Sequence, residues 1–268
     1  GDHSPISIGG TQFEKRLGTI SSPDQGKSVR VADVNSDGFQ DVIVIIGSHG
    51  AISSGGIEVF LNDGTGNVNS AFSDFYPGTN DAWLVDLDDD GNLDIVLASG
   101  ETVDLGVTPA SLFVLSGAGD GSFSRVQNYN KSNSPNSLAL ADFNNDGLVD
   151  IASADGSYGT FGPGICGGVS VHYNLGSGIF SSSNTIYTSN TEYGSALATS
   201  DINSDGNADL VLATGIGTQL GGAFGSVPEG GSLTVLLGDG SGGFNAGDPL
   251  QLPKSGHSLS IADLNGDQ

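Results

Sequence analysis

The chain is poor in several residue types, and each shortage excludes a class of protein. A single Cys, Cys166, rules out an intrachain disulfide framework. Met is absent, which leads us to expect a mature or trimmed product. No apolar run approaches the roughly 20 residues that a membrane-spanning helix needs, so we expect no membrane insertion. With only 7 Lys and Arg residues the chain lacks a basic patch for phosphates, so we do not expect nucleic acid as a partner.

Asp and Gly, by contrast, are in excess. The 268 residues include 26 Asp against 5 Glu, and the net charge is −24. An acidic surface that only keeps a protein soluble would use both acids freely. The bias therefore indicates that Asp is needed for its short side chain, in turns or as an oxygen ligand of a hard cation. Gly, at 44 residues, is more than twice its ordinary usage of about 7%.

An acidic segment recurs five times and defines the organisation of the chain. Its first Asp lies at intervals of 53, 56, 59 and 62 residues, at Asp33, Asp86, Asp142, Asp201 and Asp263. After each complete copy come a β-branched or apolar run, a Gly-rich loop, a third apolar run, a glycine turn and a more polar fourth run. Four short antiparallel strands per repeat, without a helical period, predict the blades of a β-propeller.

We therefore expect an all-β fold, a single β-propeller region over residues 1–268 built of four-stranded antiparallel blades. The expected blades lie at about residues 13–68, 69–123, 124–180 and 181–244, with a partial blade at 245–268. Residues 1–12 resemble the end strand of a preceding or closing blade. Two explanations of this count are open. Either the chain is a fragment of a six- or seven-bladed ring, which we favour, or another chain associates with it to complete the ring.

The acidic segment reads D-x-[DN]-x-D-G-x-x-D, a pattern that can wrap a cation of the size of Ca²⁺. Positions 1, 3, 5 and 9 offer side-chain oxygens, position 7 offers a backbone carbonyl, and Gly at position 6 permits a sharp turn. An EF-hand is excluded because position 12 is not Glu but a strand residue such as Val44. The predicted metal ligands are Asp33, Asn35, Asp37, Phe39 and Asp41; Asp86, Asp88, Asp90, Asn92 and Asp94; Asp142, Asn144, Asp146, Leu148 and Asp150; Asp201, Asn203, Asp205, Asn207 and Asp209; and, in the partial copy, Asp263, Asn265 and Asp267.

The alternative interpretation of these segments is that Asp and Asn side chains only cap their own turns. Each complete copy then holds three or four carboxylates at its predicted ligand positions, within nine residues, without a compensating charge. Because such clusters repel one another, we expect four Ca²⁺ sites and a fifth, partial one. Four ions would change the formal charge from −24 to −24 + 8 = −16.

On these segments the chain resembles the FG-GAP repeats of integrin α-subunit propellers, the related VCBS repeats of secreted bacterial proteins and the blades of integrin-like fungal propeller lectins. The resemblance extends from about Phe13 to Asp267. It implies that calcium is structural and that a protein or glycan ligand binds elsewhere, on one face of the propeller. Weak sites of this kind suit the calcium concentrations of about 10⁻³ M found outside cells, so we expect an extracellular or cell-surface location.

No catalytic arrangement is recognisable in the sequence. The G-x-G-x-x-G string at Gly238, Gly240 and Gly243 precedes no helical pattern and is interpreted as a hairpin. His172 is expected to be a packed or surface histidine, and Cys166 has no neighbouring base. We therefore expect no enzyme but a calcium-stabilised binding or adhesion module. The alternatives are a carbohydrate-binding lectin and a non-catalytic or structural part of a larger secreted enzyme or surface filament.

Ligand contacts are expected on the loops between the second and third strands of each blade, with neutral insertions as the alternative. These loops lie at Gly47–Gly56, Ser99–Pro109, Asp155–Gly168 and Gly215–Gly231. Trp83 is interpreted either as an interface or sugar-stacking residue or as the filler of a local gap. A lectin would be supported by aromatic and polar residues that repeat at one blade position, and we recognise no such set in the sequence. Asn130-Lys131-Ser132 fits a glycosylation sequon.

Overall fold

The described part of the chain is all-β. The computed structural model describes residues 26–47, 55–100, 109–131, 133–156, 167–189, 192–216, 230–254, 256 and 258–262. Within these ranges the chain forms 17 strands and no helix, which confirms the predicted fold class. The described residues accordingly contain no helix that could cross a membrane.

The strands form four antiparallel sheets, and in each sheet the strands lie in the order of the chain. The first sheet contains β1 (Gly26–Ala32), β2 (Asp41–Ile46), β3 (Gly56–Asn62) and β4 (Val68–Phe75). The second contains β5 (Thr79–Val85), β6 (Asp94–Ser99), β7 (Ser111–Gly117) and β8 (Phe123–Asn130). The third contains β9 (Ser134–Ala141), β10 (Asp150–Gly156), β11 (Gly167–His172) and β12 (Asn184–Ser189). The fourth contains β13 (Glu192–Ser200), β14 (Asp209–Ile216), β15 (Gly231–Gly238) and β16 (Phe244–Ala246), with β17 (Leu250–Leu252) also paired to β15.

Composition explains where each strand lies within its sheet. The second and third strands are short apolar runs, and β6 and β10 are buried along their whole length. Such runs suit strands that are covered on both faces. The fourth strands are polar, and most residues of β4 and β8 are exposed. They form the outer edge of each sheet, where polar and charged side chains discourage further pairing.

Apolar clusters hold each sheet against the next one in the chain. Each cluster combines apolar residues, mostly β-branched, Leu, Ala or aromatic, that come mainly from the first three strands of two successive sheets. Representative buried members are Ile43, Ile57, Ile95 and Phe113 between the first two sheets; Val96, Leu112, Leu138 and Ile151 between the second and third; and Ala152, Val169, Leu210 and Leu236 between the last two. Four-stranded sheets stacked face to face in chain order are propeller blades. Over the residues that the structure describes, the four sheets do not close into a ring, which agrees with the expected fragment.

Hydrogen bonding groups each fourth strand with the three strands before it. The sheets therefore span residues 26–75, 79–130, 134–189 and 192–252, and each ends one strand later than the boundaries expected from the sequence. Several expectations fall outside the described residues: the end strand at 1–12, the partial acidic copy from Asp263 to Asp267, Cys166, Ser132 of the sequon and most of the four long loops.

Candidate cation-binding loops

The four complete acidic segments connect the first and second strands of the four sheets. In every sheet the residue before position 1 pairs with the Asp at position 9, and the pairs are Ala32 with Asp41, Val85 with Asp94, Ala141 with Asp150, and Ser200 with Asp209. The loops therefore start and end at the same register and lie at the same end of their sheets. The sequence motif thus corresponds to one structural unit that occurs four times.

Two residues of each loop adopt the left-handed backbone conformation. At position 6 this residue is Gly, with φ between 87° and 89° in all four copies. At position 4 it is a small polar residue with φ between 56° and 64°: Ser36, Asp89, Asn145 and Ser204. The glycine was predicted, and position 4 was missed. A signal was present in two of the copies, at Asp89 and Asn145, because Asp and Asn tolerate this conformation better than most other side chains.

The Asp at position 1 binds the backbone of its own loop. Its Oδ2 accepts a hydrogen bond from the N–H of the position 6 glycine in every copy, at 2.7–2.9 Å. The N–H at position 7 donates in the same way to Oδ1 of the position 5 Asp, at 2.7–2.9 Å. Position 7 thus takes part through its backbone, in keeping with its variable side chain. These bonds hold the carboxylates together despite their like charge.

The Asp at position 9 connects the loop to the third strand. Asp94 is 2% exposed, and its Oδ2 accepts the N–H of Leu87 at 2.9 Å while its Oδ1 accepts that of Gly117, at the end of β7, also at 2.9 Å. Asp41, Asp150 and Asp209 are fully buried and make the same two bonds with equivalent residues. The sequence predicted this Asp as the closing ligand of the cation. Its second role as a backbone clamp was missed, because the partner strand is distant in sequence.

Burial makes two of the position 9 carboxylates, those of Asp94 and Asp150, harder to ionise. Burial is the largest cause that raises the pKa of Asp94, and the charges of Asp88 and Asp90 raise it further. Burial likewise raises the pKa of Asp150 to about 6, again with the neighbouring acidic side chains of its loop contributing. The two backbone N–H donors act in the opposite direction in both cases. A positive charge in the loop would remove this penalty.

The second loop has the strongest arrangement for a metal ion. Oxygens of Asp86, Asp88 and Asp94 all lie within 4.8 Å of one another, the only such group of three acidic or metal-binding side chains in the described residues. Oδ1 of Asp86 is buried there without a hydrogen-bond partner. A buried carboxylate oxygen without a partner is costly, and a hard divalent cation satisfies it. The donor set and this orphaned oxygen therefore fit a metal ion.

The other three loops differ at position 3, where Asn replaces Asp. The amides of Asn35, Asn144 and Asn203 donate to the position 5 carboxylate of their own loops at 2.8–2.9 Å. The N–H at position 5 also donates to Oδ1 of the position 1 Asp at 3.1 Å in these three loops. Internal donors thus partly satisfy these carboxylates. The predicted ligands are adjacent in all four loops, but only the second loop gathers three acidic groups so closely.

Two further predictions concern residues outside the loops. The G-x-G-x-x-G string forms the hairpin between β15 and β16, with Gly240 at φ 70° and Phe244 as the first residue of β16, which confirms its interpretation as a turn. His172 is 2% exposed on β11, so it is a packed histidine. Its Nδ1 lies 2.9 Å from the carbonyl oxygen of Ser181.

Comparison with known proteins gives a family match to part of the chain and distant structural likenesses. The family model described as "FG-GAP-like repeat" matches at residues 33–97 and 86–153, which include the first three acidic loops. No curated protein matches the sequence. Among solved structures, a chain of the Photorhabdus luminescens Tc holotoxin pore aligns over 86% of this chain at 17% identity and a TM-score of 0.34. The present chain covers only 10% of that chain.

The family matches agree with the geometry of the loops. The two matched segments overlap at the second loop, which contains the Asp86, Asp88 and Asp94 group. The fourth loop lies beyond the matches but has the same register and the same left-handed positions. Residues 33–153 therefore match the FG-GAP-like repeat family, in agreement with the resemblance seen in the loop motif.

Proposed function

We propose that the chain is an extracellular, calcium-stabilised and non-catalytic binding module. The single observation that carries this proposal is the group formed by Asp86, Asp88 and Asp94, with one buried carboxylate oxygen lacking a partner. Calcium binds such oxygen sets, and millimolar calcium outside cells would fill even weak sites. The other three loops share the backbone of this one, which supports four sites rather than one.

Calcium in the second loop would be held by Asp86, Asp88, Asp90, the carbonyl of Asn92 and Asp94. The ion supplies positive charge to a cluster that otherwise repels itself. The stabilisation would reach the strands through Asp94, because its carboxylate also accepts hydrogen bonds from the N–H groups of Leu87 and Gly117. A fixed Asp94 holds the start of the loop against the end of β7. Calcium would in this way stiffen the blade that carries a recognition surface.

A binding role is favoured over catalysis by what the acidic side chains already do. In each loop the carboxylates at positions 1, 5 and 9 accept backbone N–H groups. Carboxylates that hold their own backbone, and a cation, are poorly suited to take up and release protons. The expectation that the propeller is a non-catalytic part of a larger secreted enzyme or a surface filament stays a prediction.

Calcium-dependent unfolding of a charge-removing variant tests this proposal. In Asp86→Asn the amide oxygen can still accept the Gly91 N–H, while one negative charge is lost. We expect calcium to raise the melting temperature of the wild-type chain strongly and that of the variant less. In EDTA the variant should be at least as stable as the wild type, because a repulsive charge is gone. Asp248→Asn, at an exposed position outside the loops, is the matched control.

Two results would contradict the calcium part of the proposal. One is a wild-type melting temperature that is equal in millimolar calcium and in EDTA. The other is an Asp86→Asn variant that is destabilised as much in EDTA as in calcium, because the carboxylate would then serve the fold alone. Recognition itself is tested by screening the chain against immobilised glycans and extracellular proteins with and without EDTA.

Association with further blades is supported by an uneven pattern of exposure. Val29 on β1 is 55% exposed, whereas the residues at the same repeat position in the next three sheets, Ala82, Leu138 and Leu197, are 0%, 1% and 6% exposed. In those sheets the position packs against the preceding blade. We propose that a further blade, from the same protein or from another chain, covers this face of the first sheet.

A lectin is the second candidate function. The observation that favours it is a polar cavity beside Trp83, at the end of the sheets that lies opposite the acidic loops.

A further inference from the structure

A cavity of about 610 Å³ lies between the first strands of the four sheets. Its walls come from β1, β5, β9 and β13 and from residues 258 and 259. Small-molecule sites are usually clefts of about 300–1,000 Å³, so the size suits a ligand of a few rings. The lining residues extend from near the beginning of each first strand to just past its middle, and the acidic loops follow its last residue. The cavity is thus displaced toward the end of the sheets that lies opposite the loops.

The cavity is also at the end where ligand loops were expected. The first residues of β5 pair with the last residues of β6, and Thr79 lies opposite Ser99, where one of the long loops begins. Gly26 lies opposite Ile46 and Ser134 opposite Gly156 in the same way. The connections between second and third strands therefore leave the sheets at the end that carries the cavity.

A recurring row of polar side chains lines this cavity. The residue six positions before the first Asp of each loop is Lys27, Asn80, Asn136 or Ser195. Each member donates a hydrogen bond to the next first strand or the segment after it. Lys27 Nζ donates to Asn80 Oδ1 at 2.7 Å, Asn136 Nδ2 to the carbonyl of Gly194 at 2.8 Å, and Ser195 Oγ to that of Gly256. Aligning the repeats of the sequence with one another did not reveal this row, because its members are all polar but are different residue types.

Trp83 provides an aromatic surface next to the polar row. Its side chain lines the cavity and is 39% exposed. The Arg30 guanidinium lies over its ring at 5.7 Å from the centroid, and Nη2 of Arg30 is fixed by Asp81 Oδ1 at 2.9 Å. Asp81 is in turn held by the N–H of Leu138, which donates to its Oδ2 at 3.0 Å. The indole is thus oriented by a chain of contacts that crosses three sheets.

The charge of this cavity differs from that of the rest of the chain. Among the residues that the structure describes, the charged ones that line the cavity are Lys27, Arg30 and Asp81, so two of the 7 basic residues face one carboxylate in a protein of net charge −24. The remaining polar groups of the wall are amides and hydroxyls, which both donate and accept hydrogen bonds. Such a wall suits a polyhydroxylated ligand. Because the wall has an excess of one positive charge, it favours a ligand that also carries a carboxylate over its neutral counterpart.

We propose that this cavity binds a short saccharide, with Trp83 packed against the apolar face of a sugar ring and the polar row bonded to its hydroxyls. A partly exposed aromatic ring can pack against the apolar face of a sugar, and amides and hydroxyls can form hydrogen bonds with the sugar's hydroxyl groups. Lys27 would then favour a sugar acid over its neutral counterpart. The inference rests on the proposed binding function and adds the class and place of its ligand.

The test uses the fact that Trp83 is the only Trp of the chain. Matched neutral and uronic-acid oligosaccharides are first screened on an array with calcium present, and the best one is titrated in solution while tryptophan emission is recorded. We expect the emission to change in a saturable way. Trp83→Ala should weaken binding on the array about tenfold, Trp83→Phe should retain most of it, and Lys27→Gln should remove the preference for the acid.

Phe75→Ala is the matched control, because Phe75 is 55% exposed on β4 and does not line this cavity. Its binding should equal that of the wild type, and equal melting temperatures show that each variant is folded. Saccharide binding that leaves the emission and the Trp83→Ala affinity unchanged would overturn the site but not the binding function. A wild-type chain that binds no saccharide would overturn the inference, and the calcium experiment would still decide the proposed function by itself.

Discussion

At the scale of single residues, each acidic loop depends on a glycine at which an added side chain would find open space. A Cβ added to Gly91 would meet no atom within 4 Å, yet its φ is 87°. The loop therefore requires glycine for its backbone conformation and not for space. The same holds at Gly38, Gly147 and Gly206.

Gly91→Ala therefore isolates a pure backbone effect. We expect the free energy of unfolding, measured with urea in EDTA, to fall by about 1–2 kcal/mol, because a side chain disfavours the left-handed region. Gly247→Ala is the control, since Gly247 has no positive φ and an added Cβ would lie 3.5 Å from the carbonyl oxygen of Val235. Equal losses in the two variants would contradict the assigned cause.

His172 makes part of the stability depend on pH. Burial lowers its pKa from 6.5 to about 4, with the nearby Lys131 acting in the same direction and the bond to Ser181 opposing both. Its Nε2 is buried without a partner, so the neutral ring is the form that fits. Because the folded state binds this proton more weakly than the unfolded chain, the stabilisation is complete above pH 6.5 and is lost as the pH falls towards 4.

We expect the stability of the wild-type chain to fall by as much as about 1.4 kcal/mol per pH unit through this window from His172 alone. Urea unfolding of wild type and His172→Gln at several pH values between 6.5 and 4 measures the difference between them. The difference in the free energy of unfolding between wild type and variant should narrow as the pH falls, because the variant has no imidazole to protonate. Parallel curves would show that His172 is not buried as described.

At the scale of elements, a buried ion pair joins the second sheet to the third. Lys131, which follows β8, places Nζ 3.0 Å from Asp155 Oδ1 on β10, and the two side chains are 3% and 5% exposed. Nζ also donates to Ser153 Oγ at 2.6 Å, and Ser170 Oγ donates to the second oxygen of Asp155. Burial lowers the pKa of Lys131 and raises that of Asp155, so each charge depends on the other.

Removing one member of the Lys131–Asp155 ion pair should lower the free energy of unfolding more than removing both. We expect Lys131→Met to lower the free energy of unfolding by about 3–5 kcal/mol, because Asp155 is left buried and uncompensated. The double variant Lys131→Met/Asp155→Asn should recover much of this loss. Lys254→Met, at an exposed position after β17, controls for the loss of a basic residue. Additive losses in the double variant would mean that the pair is not coupled.

Strands and loops differ in how far the sequence predicts them. The apolar runs Val42–Ile46 and Ile95–Ala98 predicted β2 and β6 within a residue at either end, because local pattern and burial agree there. The acidic motif predicted the loops and their glycine. The clamp from Asp94 to Gly117 and the polar row from Lys27 to Ser195 were not predicted, since both join residues more than 20 positions apart. Such contacts arise only when sheets and strands pack.

At the scale of the whole molecule, negative charge opposes compactness. With a net charge of −24 and four acidic loops at one end of the sheets, repulsion should be strong at low ionic strength and without divalent ions. We expect the melting temperature in EDTA to rise between about 10 and 150 mM NaCl, as the screening length falls from about 30 to 8 Å. In millimolar calcium the same step in salt should have a smaller effect. An identical salt dependence in both conditions would contradict charge repulsion as the cause.

The positions of the loops and the cavity have a practical consequence. In each sheet, six residues of extended strand separate the polar row of the cavity from the first Asp of the acidic loop, which corresponds to about 20 Å. A tether or label fixed near Ser36 or Asn145 would hold the protein by one pole and leave the other pole facing solution. Immobilisation in that orientation should preserve recognition, whereas attachment at the pole that bears Trp83 should mask it.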